Sequence, residues 1–132
     1  FVKISETLAG LGARAIVHAS AYGEATRVAR AIGNLHLPVL LVGGGYANIG
    51  ELMAVLAAYP TMHCDAHVQD GPFALEGLMQ HGGEDRVIFG SNSPEREFLA
   101  PLLMAQHAEI TDAQRRAYLH DNALAFLGEA SA

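Results

Sequence analysis

Apolar residues arrive along this chain in short blocks at a regular interval. Ala13–His18, Pro38–Val42, Met62–Asp65 and Arg86–Phe89 each read as a short, mostly apolar strand. Successive blocks start about 25 residues apart, the span of one strand–helix unit. The intervals between them carry a helical period. Ala25, Val28, Ala29 and Ile32 share one face of a helix over Ala25–Ile32. Ile49, Leu52, Met53 and Leu56 do the same over Ile49–Ala58, with Asn48 as its expected cap. Phe73–Gln80 follows Gly71-Pro72 and stops at His81-Gly82-Gly83. Beyond the fourth block the pattern is helical only. Glu95–Gln106 is one segment, and Thr111-Asp112-Ala113-Gln114 reads as a capping box that opens a helix to about His120. Asn122–Leu127 is a last helical piece, ended by Gly128. At the start, Val2–Ile4 reads as the stub of another strand, before a short helix over Ser5–Leu11 and a stop at Gly12.

Strands that alternate with helices, and that are apolar nearly throughout, imply an α/β fold with a parallel sheet covered by helices and right-handed crossovers. Four or five such units make half of an eight-fold barrel or an open doubly wound sheet. Half a barrel leaves two sheet edges unpaired. That reading therefore expects a homo-oligomer, or packing against an N-terminal half that lies outside this sequence.

Composition narrows the picture. The 132 residues suffice for a single domain over 1–132 with a real core. Apolar residues make up 51% and charged residues 17%, a globular balance without the marks of disorder. The net charge of −6 offers no basic stripe, so neither nucleic acid nor an anionic membrane is an expected partner. The one cysteine, Cys64, lies in a strand-like block and reads as a buried thiol in a reducing, cytoplasmic setting. No apolar run is long enough for a membrane span. The first residue, Phe1, points to a processed chain or a piece of a longer one.

The segment Arg86-Val87-Ile88-Phe89-Gly90-Ser91-Asn92-Ser93-Pro94 carries the densest chemistry. A strand runs into a turn, and two hydroxyls and an amide stand at its carboxyl end, where α/β folds gather ligands. Other strand ends bring His18 and Ser20, the Gly43–Tyr46 turn with Gly44 and Tyr46, and Asp65 with His67. His18, His67 and Asp65 have the chemistry of three zinc ligands. They serve equally as a turn histidine, a solvated histidine and a loop cap. The Gly43-Gly44-Gly45 run offers N–H groups to an anion, or lets a tight turn pass close to a neighbour. The Ser91 turn is no Gly-x-Ser-x-Gly elbow, which argues against a serine hydrolase.

Several of these strings together resemble one family. Ala13–Ser20, Gly43-Gly44-Gly45, Tyr59-Pro60, Arg86–Pro94 and the closing Asp121–Gly128 are similar, in order and spacing, to the C-terminal half of the amidohydrolase-related (amidohydrolase 2) family. The resemblance runs from about Val2 to Gly128 and implies a metal-dependent (β/α)₈ TIM barrel. Such proteins hydrolyse amides, esters or lactones, or decarboxylate aromatic acids. A His-x-His pair on the first barrel strand, a histidine on the fifth and an aspartate on the eighth hold a divalent metal such as zinc, and a histidine on the sixth assists. His18 matches the fifth-strand histidine, and Asn92 stands where the eighth-strand aspartate is expected. Val42 and Gly43 occupy the place of the sixth-strand histidine.

The resulting expectation is a small-molecule hydrolase with a degraded metal site. His18 and Asn92 are its candidate catalytic residues, with His18 also a candidate metal ligand. Ser20, Gly44, Tyr46, Asp65, His67 and Ser91 are candidate substrate-binding residues. An amide oxygen gives a divalent ion a dipole where a carboxylate gives a charge, so weak metal binding or none is expected. The rival expectation is a non-catalytic barrel relative that keeps the scaffold for binding or assembly.

Overall fold

The computed structural model describes residues 1–69 and 71–129. The apolar blocks become four strands: β1 (Ala15–His18), β2 (Val39–Val42), β3 (Met62–Asp65) and β4 (Val87–Ile88). They form one parallel sheet in the order β1-β2-β3-β4. Sequential order distinguishes the two architectures left open by the sequence. A doubly wound sheet reverses direction at a switch point, whereas this sheet grows one way only. Right-handed crossovers then place the connecting helices on one face, as in a barrel wall.

The register shows what each face does. Val39, Leu41, Met62, Cys64 and Val87 point to the helix side and are buried. There they meet α2 (Glu24–Ile32), α3 (Ile49–Ala58) and α4 (Ala74–Gly82) through Ala29, Ile32, Leu52, Leu56, Leu75 and Leu78. The opposite face carries Ile16, His18, Leu40, Val42, His63, Asp65 and Ile88. Ile16 on this face is 68% exposed. The strand bounds are tighter than those expected: Pro38 has no N–H for the ladder, and Arg86 lends β3 only its carbonyl, which accepts the Cys64 N–H at 3.0 Å. The Arg86 guanidinium donates to the carbonyls of Leu56, Tyr59 and Gly82 at the ends of α3 and α4.

Two expectations at the N-terminal side are corrected. Val2–Ile4 is not a strand stub but the first turn of α1 (Val2–Gly10), where the Ser5 N–H and hydroxyl both bond the Phe1 carbonyl. Asn48 does not cap α3 with its side chain. It ends a short 3₁₀ turn over Tyr46–Asn48, is buried, and donates Nδ2 to the Ser20 carbonyl at 3.5 Å.

The C-terminal part is helical as expected, with shifted bounds. α5 spans Leu99–His107 rather than starting at Glu95, because residues 93–96 continue the turn. Thr111 and Gln114 form the expected capping box at α6 (Asp112–Arg116). The helix then widens into a π-turn over Ala117–Asp121 before α7 (Asn122–Leu127). Tyr118 in that turn is fully buried against Phe89, and its carbonyl accepts the Phe89 N–H. Among the described residues no helix is long and apolar enough to cross a membrane.

Candidate functional site

β3 ends at Asp65, and side chains two apart in an extended chain project to the same side. That places the Asp65 carboxylate against the His67 imidazole. His67 Nδ1 is hydrogen-bonded to Asp65 Oδ2, and each side chain is only 8% exposed. The second carboxylate oxygen accepts the Gly43 backbone N–H at 3.2 Å. Gly90, just after β4, stands on the other side, where an added Cβ would lie 2.9 Å from Asp65 Oδ2. Burial pushes the Asp65 carboxyl above the ordinary carboxylate range. The bonds from His67 and Gly43, and the nearby His18, offset part of that. When the carboxylate is ionised it only accepts, so a neutral His67 ring bonded to it carries its proton on Nδ1 and leaves the Nε2 lone pair free.

Beside His67 a cavity of about 590 Å³ opens between the loop after β3 and the segment after β4. Ala66, Ala100, Pro101 and Met104 supply apolar wall; His67, Gln69, Glu95, Arg96 and Glu97 supply polar groups. The size is that of an ordinary small-molecule site, and the position is the carboxyl end of the strands. Gln69 is 1% exposed and donates Nε2 to the Gly44 carbonyl at 2.7 Å. Its Oε1 has no hydrogen-bond partner among the described residues.

The other candidates from the sequence are placed as follows. His18 lies exposed at the end of β1, its ring close over Gly43, where a Cβ would stand 2.7 Å from Nε2. Gly43 takes φ +84°, so the close approach and the backbone both require glycine. The triple-glycine run therefore serves close approach: Gly43 meets Asp65 and His18, and Gly44 meets Gln69 and Leu52. Tyr46 is exposed, with its ring against Gly71. Ser20 is exposed and Ser91 Oγ accepts the Ser93 N–H at 3.3 Å. Asn92 is exposed at φ +53° and donates Nδ2 to Glu95 Oε2 at 3.3 Å. The cavity wall includes His67 but not Ser20, Tyr46, Ser91 or Asn92.

Gln69, Glu95, Arg96 and Glu97 were not singled out by sequence. Only one signal pointed their way: Arg96 and its two acidic neighbours follow directly on the Ser-Asn-Ser-Pro turn at the end of β4. The three-ligand set of His18, His67 and Asp65 is not assembled. Among the described residues no group of three histidine, cysteine, aspartate or glutamate side chains is arranged to hold a metal. Asp65 is engaged on both oxygens by His67 and Gly43, and the Asn92 amide is turned to Glu95. Among the described residues His18, Asp65, His67 and Asn92 are therefore not gathered as one donor set for a divalent ion.

The family model described as amidohydrolase matches residues 2–128. The chain belongs to the amidohydrolase family. No curated protein matches it. Among solved structures it is similar to a zinc-bound amidohydrolase from Burkholderia multivorans, at 15% identity and a TM-score of 0.74. An amidohydrolase 2 from Bifidobacterium longum subsp. infantis follows, at 16% identity and a TM-score of 0.72. A dihydroxybenzoic acid decarboxylase from a Polaromonas species, with manganese and 2-nitroresorcinol bound, gives 14% identity and a TM-score of 0.69. Each comparison covers 98% of this chain, but only 57%, 55% and 54% of the respective relative. The amidohydrolase-family chain thus spans about half the length of these relatives, and its four βα units are part of their (β/α)₈ barrel.

Proposed function

We propose that this chain carries a small-molecule hydrolase site in which His67 is the general base and Asp65 holds it in place. One observation carries the reading: a buried Asp–His pair presents its histidine to the wall of a 590 Å³ cavity at the carboxyl end of the strands. The family membership and the amidohydrolase relatives support a hydrolytic reaction. In this reading His67 Nε2 takes a proton from water while the water oxygen bonds the carbonyl carbon of an amide, ester or lactone. The bond to nitrogen or oxygen then breaks, and His67 returns the proton to the leaving group. Asp65 fixes the tautomer that makes Nε2 the base. No step is assigned to a metal, since the described donors on these strands are not gathered for one.

Turnover of a panel of aryl amides, aryl esters and lactones tests the reading. Activity on at least one class is expected, falling at least about 100-fold in His67→Ala, with His18→Ala retaining most of it. No turnover of any class, or turnover indifferent to His67, would overturn the reading. The Asn92 amide and its bond to Glu95 support a second reading, a non-catalytic relative that binds without turnover.

A further inference from the structure

We infer that the cavity beside His67 takes a small molecule with N–H donors and a positive charge on an apolar body, such as an arylalkyl amine, rather than a carboxylic acid. The inference rests on that cavity being the substrate site. The polar part of the wall is rich in acceptors. Glu95 and Glu97 contribute two carboxylates to the wall and Arg96 a single guanidinium, with one Glu95 oxygen accepting from Asn92 Nδ2 at 3.3 Å. Gln69, fully buried, has spent its donor on the Gly44 carbonyl and kept its acceptor unpaired among the described residues.

A buried acceptor without a donor costs free energy, and a ligand N–H removes that cost. His67 Nε2, with its partner nitrogen held by Asp65, adds a further acceptor. A carboxylic acid bound here would meet these acceptors with only Arg96 in its favour. The net charge of −6 adds a long-range field of the same sign, which draws cations and repels anions. Ala66, Ala100, Pro101 and Met104 provide the surface for an apolar body.

The test is an NMR titration of ¹⁵N-labelled protein with benzylamine, benzamide and benzoate. Benzylamine is expected to bind at least about tenfold more tightly than benzoate, and benzamide to shift the Gln69 side-chain amide. Replacing both Glu95→Gln and Glu97→Gln should erase the preference, while Arg96→Ala, at an exposed position, should strengthen benzylamine binding about two- to threefold. The inference is overturned if benzoate binds more tightly, if Arg96→Ala weakens benzylamine, or if no probe binds. Binding is read apart from turnover, so the two readings fail separately. A protein that binds benzylamine but turns over nothing sinks the hydrolase alone, and an active enzyme that prefers benzoate sinks this inference alone.

Discussion

The two ends of the sheet treat polar groups in opposite ways. At the amino end Arg14, Arg86 and Asn122 are spent on main-chain carbonyls. Arg86 ties the ends of α3 and α4, and Asn122 Nδ2 donates to the carbonyls of Glu84 at 2.6 Å and Val87 at 2.8 Å. Arg14 bonds the Phe126 carbonyl, and the Phe126 ring packs edge-on against His63. At the carboxyl end valences are left over. Gln69 Oε1 and Asn48 Oδ1 are buried without partners among the described residues, and His67 has one nitrogen uncommitted. Satisfied polar groups lock a fold, while unsatisfied ones cost stability and are kept where a ligand can complete them. On the proposed function, the amino end of this sheet serves stability and the carboxyl end chemistry.

The largest expected effect belongs to the amino end. Arg86→Ala leaves three carbonyls without their charged donor and should cost about 3 kcal/mol of unfolding free energy. A loss below about 1 kcal/mol by urea denaturation would break the comparison. Gly90→Ala acts at the other end. Its Cβ would press on Asp65 Oδ2, so it should displace the Asp65–His67 pair and abolish turnover while costing about 1–2 kcal/mol. Turnover that survives in Gly90→Ala would detach the pair from the function.

Two carboxylates, both on the carboxyl side of the sheet, respond to pH with opposite signs. At Glu51, burial raises the carboxyl, but N–H bonds from Thr26 at 2.7 Å and Gly23 at 2.9 Å outweigh it and bring the net value below the ordinary one. Its contribution is present above the ordinary carboxylate value and is lost as pH falls through the lowered native value. Glu51→Gln should therefore cost about 1 kcal/mol at neutral pH and flatten the acid limb of stability. Asp65 has the opposite sign. Its native carboxyl is raised by burial, so the native state holds the proton more tightly than the unfolded chain. Stability falls as pH rises from the ordinary value through the raised one. Asp65→Asn should remove that falling limb, the smallest of these effects. Unfolding free energies from about pH 3 to 7 check both signs.

Much of the architecture was legible because each strand is an apolar block bounded by glycine, proline or charge. Gly83 at φ +98° stops α4 where the His-Gly-Gly run implied. Thr111 and Gln114 carried a local signal that needs no tertiary partner. Val2–Ile4 was misread because three residues are too few to separate a period of two from one of 3.6. The site was legible only in part. Asp65 and His67 sit two apart on one extended segment, so their meeting follows from local geometry. Gln69 and the Glu95–Glu97 run come from loops distant in sequence, and only the fold brings them to one cavity. His18 and Asn92, prominent by resemblance, lie exposed and are not part of that cavity's wall.

The central claim is that Asp65 holds His67 with Nδ1 protonated and Nε2 free. The most direct measurement is a long-range ¹H–¹⁵N spectrum of the imidazoles, with His67 assigned by His67→Gln. The account predicts a single tautomer for His67, its hydrogen-bonded Nδ1 proton visible and its Nε2 without a proton, and loss of that signature in Asp65→Asn. A His67 ring that averages between tautomers like a solvated histidine, or that is unchanged in Asp65→Asn, would contradict it.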